Sequence, residues 1–85
     1  MNIYLLEQNV NNNYDTYDAM VVSAPNEAAA RLMHPYSAEP YSDNDLNYYS
    51  DWKVWVNTPE EVRVTLIGTT DNPTQKIILR SFNAG

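Results

Sequence analysis

Residues 14–35, YDTYDAMVVSAPNEAAARLMHP, constrain the fold of this 85-residue chain more than any other stretch. They read as a turn, a strand, a capped helix and a stop. Within 16–24, Met20, Val22 and Ala24 share one face, and Tyr17, Ala19, Val21 and Ser23 share the other, the two-residue period of a strand. Asn26 is a good N-cap, since its side-chain oxygen can accept from an otherwise unpaired amide of the first turn. Glu27 suits the positive end of the helix dipole, and Ala28, Ala29 and Ala30 are the strongest helix formers available. Ala29, Leu32 and Met33 fall at helical spacing and predict a narrow apolar stripe. Pro35 biases His34 out of helical geometry and ends the element. A helix of roughly two turns is marginal alone, so it must lie on a sheet.

The rest of the chain supplies that sheet. Residues 2–8 carry Ile3 and Leu5 on one face and Tyr4 and Leu6 on the other, which predicts a central or well-covered strand. The Asn-rich run 9–13 tolerates left-handed backbone and predicts a hairpin into 16–24. Trp52, Val54 and Val56 alternate with Lys53, Trp55 and Asn57 and read as a further strand. Thr58, Pro59 and Glu61 supply a cap, a first-turn proline and a capping-box glutamate, here predicting only a turn. Residues 62–67 alternate again, with Val62, Val64 and Leu66 opposite Arg63 and Thr65. A polar turn over 68–75 leads to a last strand around Ile77, Ile78 and Leu79. The expected fold is α+β: a four- to five-stranded, mostly antiparallel sheet with one short helix packed on one face. Residues 1–85 form a single domain, with a Tyr/Asp-rich, insertion-like segment at about 36–50. Within that segment, Ser42 and Asp45 could cap a turn of helix carrying Leu46 and Tyr49.

Composition removes several classes. There is no cysteine, so neither a disulfide framework nor a thiolate metal site is available. The net charge of −6 is the wrong sign for a nucleic-acid binder. The opening residues hold neither a basic region nor a long apolar run, which argues against export and against a membrane span. An intracellular protein is the expectation. Seven tyrosines and two tryptophans stand against one phenylalanine. Tyr and Trp join an apolar body to a polar tip and favour half-wet surfaces, although Tyr is also an ordinary strand residue.

The run IYLLEQ, then NNNYDTYDAMVVSA, NEAAARLMHP, a Trp, VRVTLIG and SFNAG resembles a family of small bacteriophage and prophage accessory proteins that has no assigned activity. The resemblance covers most of the chain in order, leaving out the segment between Pro35 and Trp52. It implies a phage accessory gene acting in the host cytoplasm. Genes of that kind often encode proteins that bind and disable a host factor, immune systems included.

The residues with the means to carry chemistry read better as structure. His34 is the only histidine, and a helix C-terminus explains a positive imidazole there. Asp15 and Asp18 could pair as acid and base, but in an Asn-rich turn Asp more often bonds its own backbone. Asp43, Asp45 and Asn47 match the first ligands of a calcium loop. Tyr48 then stands where the loop needs Gly, and Val54 where it needs a bidentate Glu. Two glycines, seventeen positions apart, cannot cradle a phosphate. Four carboxylates in the thirteen residues from Glu39 to Asp51 give about one per 11 Å of extended chain, far sparser than the ~1.7 Å spacing of duplex DNA. Nucleic-acid mimicry would therefore need acids gathered from several elements.

What remains is a contact surface. The acidic aromatic segment 36–55, with few lysines among its rings, has the composition of interface anchors, although some of its rings belong in a core. The expected function is a non-enzymatic, phage-encoded binding protein that inhibits a host factor, such as a CRISPR-type defence complex. Tyr41, Asp43, Asp45, Tyr48, Tyr49 and Trp55, beside Asp15 and Asp18, form the expected protein-binding site. The partner would be a host protein or complex with a basic surface. No catalytic residue, cofactor, metal, direct nucleic-acid contact or membrane is expected, and the size leaves room for a homodimer. The alternatives are a small-ligand binder that sequesters a nucleotide signal, or a virion or assembly component.

Overall fold

Four strands make one antiparallel sheet in the computed structural model, which describes residues 1–12, 15–35, 54–56 and 58–83. The strands are β1 (Asn2–Glu7), β2 (Thr16–Ala24), β3 (Arg63–Thr69) and β4 (Lys76–Asn83), with the helix α1 (Glu27–Arg31) between β2 and β3. Their order is β3-β1-β2-β4, so the predicted hairpin forms the centre and the two later strands add at its edges. Leu6 lies opposite Met20 and Tyr4 opposite Val22, and these four side chains are all but fully buried. Burial on one face of the central pair fixes the register, since a one-residue slip would turn all four to the other face.

From β3 to β4 the chain must cross the width of the sheet, three strand spacings or about 14 Å. The connection over 70–75 is pinned at both ends. The Thr70 amide donates to the Met1 carbonyl at 2.8 Å. The Ser23 hydroxyl donates to the Thr74 carbonyl at 2.8 Å and accepts from the Lys76 amide at 3.2 Å. Ser23 is fully buried beneath this crossing.

The helix begins as its sequence requires. Asn26 is extended (φ −159°), and its Oδ1 accepts from the Ala29 amide at 2.8 Å. Arg31 in the last turn donates to Glu27 at 2.9 Å and to the Val62 carbonyl, which ties α1 to the residue before β3. The helix is shorter than the two turns expected, because the Met33 amide bonds back to Ala30 at 3.0 Å and tightens the chain out of helical geometry. The buried positions shift with it. Ala30 and Met33 are fully buried, whereas Ala29 and Leu32 are half-exposed. His34 lies beyond the helix and is fully buried. Replacing Asn26 with Ala is expected to cost about 1 kcal/mol. In a domain this size that lowers the melting temperature by roughly 4–8 °C, measurable by circular dichroism.

The core joins Tyr4, Leu6, Met20, Val22, Ala24, Ala30, Met33, Trp55, Val56 and Val62. Here the sequence expectation of a strand around 52–57 fails for the described residues: Val54–Val56 is not strand, and Trp55 and Val56 enter the core individually. Alternation had suggested a pleat, but burial of adjacent residues needs a bend. Residues 59–61 form a single 3-10 turn in which the Glu61 carboxylate accepts from the Thr58 amide at 3.1 Å, the predicted capping contact.

Candidate contact surface

Of the expected site residues, Tyr41, Asp43, Asp45, Tyr48 and Tyr49 lie outside the described residues. Trp55 is corrected from contact residue to core: it is 0% exposed, so its ring has no surface to offer a partner. The reason is positional, since Trp55 follows the long segment where the chain returns beneath the helix side of the sheet. Asn11, itself buried, donates to the Trp55 carbonyl at 3.0 Å and fixes that return.

Asp15 and Asp18 are both exposed, but they serve different places. Asp15 adopts a left-handed backbone (φ 61°), which Asp tolerates better than most residues, and its amide donates to the Asn83 carbonyl at 2.7 Å. Asp18 sits at a register shift in β2, where one extra residue faces β4. It lines a cavity of about 330 Å³ together with Glu7, Gln8, Asn9, Ala19, Glu61 and Arg63. Three carboxylates and one guanidinium around that opening suit a basic side chain better than an acidic one. Among the described residues no group of three or more potential ligands could hold a metal, and no helix is long and apolar enough to cross a membrane.

Sequence reading missed how much apolar surface the outer strands keep. Leu66 (59% exposed), Ile67 (53%), Ile78 (47%), Leu79 (65%) and Phe82 (48%) all stand on β3 or β4. Their alternation looked like burial on one face, and only the strand order reveals that both strands are edges. Register puts Leu66 on the helix side, beside Tyr4. Phe82 packs against Tyr17 with ring centroids 4.9 Å apart. Arg80 lies 5.7 Å from the Tyr17 ring and donates to the Pro35 carbonyl at 2.7 Å. The described residues thus end at Pro35 beside β4 and resume at Val54, which packs on the core cluster. Pro35 and Val54 both stand on the helix side of the sheet. Comparison of the chain with protein-family models, curated proteins and solved structures finds no match.

Proposed function

We propose that this is a phage-encoded binding protein that acts by contact, without turnover, and inhibits a host protein or complex with a basic surface in the host cytoplasm. A bacterial defence complex of the CRISPR type is the target that fits the resemblance. The observation that supports the reading most directly is the exposed apolar surface of β4, where Phe82 stands two residues from Arg80, whose guanidinium donates to the carbonyl of Pro35, the last described residue before the acidic aromatic segment. Exposed apolar groups with a polar surround mark protein interfaces, and a net charge of −6 steers encounter with a basic partner.

The test is affinity capture of the tagged protein from host lysate, followed by binding kinetics with the captured protein. Replacing Tyr48 and Tyr49 with Ala should abolish capture. Charge reversal at Asp43 and Asp45 should slow association by about tenfold at low salt and leave dissociation nearly unchanged. Association rates that ignore the reversal would refute the role given to these acids.

A further inference from the structure

Among the described residues, none forms a layer over the middle of the sheet face turned away from the helix. Cross-strand register places Thr65, Leu5, Val21 and Leu79 in one row across β3, β1, β2 and β4 on that face. No member of the row is charged. Leu79 is 65% exposed, and Leu5 and Val21 are half-exposed.

We infer that this bare face is covered by a second copy of the same chain, related by a two-fold axis lying along the Thr65–Leu5–Val21–Leu79 row. Three features of the fold favour this occupant. Edge-to-edge pairing is guarded against: the β1–β3 ladder has one register shift and the β2–β4 ladder two, and Lys76 and Arg80 stand on β4. Irregular, charged edges resist addition of another strand. The face is what remains.

Charge is the second feature. On the bare face, Glu7, its cross-strand partner Arg63 and Ala19 lie at one end of the row and Ser23 and Lys76 at the other, with Asp18 beside Glu7, Arg63 and Ala19 in the cavity lining. A two-fold axis along the row reverses the strands of the facing copy. The end of each copy that holds Glu7, Asp18 and Arg63, two carboxylates against one guanidinium, then meets the Lys76 end of the other, while the uncharged row meets itself. Two chains of net charge −6 repel through most of their surface, and this pairing sets a net-negative end against a lysine.

The third feature is area. Four strands at ~4.8 Å spacing and about four residues of open length span ~19 by ~13 Å, or ~250 Å² in projection. Side-chain relief roughly doubles that, giving a total near the ~1,000 Å² lower bound of specific interfaces. The dimer is therefore expected to dissociate on dilution.

The test measures mass by light scattering or analytical ultracentrifugation, from micromolar to near-millimolar chain. The full-length protein should move from 9.7 kDa towards twice that mass as concentration rises. Leu79→Glu and Leu79→Lys, on an exposed side chain, should each weaken the dimer more than about tenfold and keep a cooperative thermal transition. Because Leu79 meets its own counterpart across the axis, mixing the two variants should restore the dimer. A monomer at every concentration, dimers indifferent to either substitution, or a mixture that stays monomeric would each overturn the assignment.

Discussion

Trp55→Ala is expected to remove a large share of the stability of this domain, about 3–5 kcal/mol. The side chain is the largest fully buried one among the described residues, and truncating a buried Trp costs ~3–5 kcal/mol through lost transfer energy and the cavity left behind. A chain of 85 residues has in total about 4–13 kcal/mol to lose. The melting temperature should fall by more than ~12 °C, read by far-ultraviolet circular dichroism or urea titration. Trp55→Phe separates packing from polarity. The indole N–H is buried and has no acceptor among the described residues, so removing it relieves a desolvation cost while losing part of the volume. The Phe variant should therefore cost only ~1–2 kcal/mol. A Trp55→Ala protein that melts like the parent would return Trp55 to the surface and restore it as a candidate contact residue.

The different fates of Trp55 and Met20 show where sequence reading reaches its limit. Met20, Val22 and Ala24 were legible as one buried face because a strand's period is set by backbone geometry, which each residue obeys locally. The Asn26 cap was legible for the same reason, since donor and acceptor lie three residues apart. Trp55 alternated just as cleanly, yet its burial depends on where a long segment returns to the sheet, and no local period encodes that return. Strand order was hidden likewise. The alternation of Val62, Val64 and Leu66 is that of a half-buried strand, and nothing in those residues says that β3 lies outside β1 and leaves Leu66 exposed. For the contact surface, composition marked the Tyr- and Asp-rich segment and the acidic turn. The exposed Ile67 and Leu79 went unnoticed because aliphatic residues in strands default to core. The tie from Asn11 to the Trp55 carbonyl spans 44 positions, and such a pairing is set only by the assembled fold.

Gln8 is where that long-range organisation is most exposed to mutation, and Gln8→Ala should cost about 2–6 kcal/mol. Its amide nitrogen donates to the carbonyls of Asn11 and Tyr17, each at 2.8 Å. Its oxygen accepts from the Val10 and Asn11 amides at 3.0 and 2.9 Å. One side chain thus satisfies four backbone groups of the turn between β1 and β2. Deleting it lets water reach those of Val10 and Tyr17, but the two Asn11 bonds are buried, and each orphaned group there costs ~1–3 kcal/mol. Gln8→Glu tests the assignment by pH. The second carboxylate oxygen would face two carbonyls in a buried site, so the folded state favours the protonated acid and its pKa rises above the unfolded value of about 4.3. A raised folded pKa means that stability is retained below the unfolded value and lost as pH climbs through the folded one. Relative to the parent, Gln8→Glu should therefore weaken as pH climbs above about 4, whereas Gln8→Ala should show a constant deficit. Because Gln8 holds the Asn11 backbone and Asn11 holds Trp55, the two act as one unit. Asn11→Ala should cost markedly less in the Gln8→Ala background than alone, and full additivity would mean that the turn and the return at Trp55 are anchored independently.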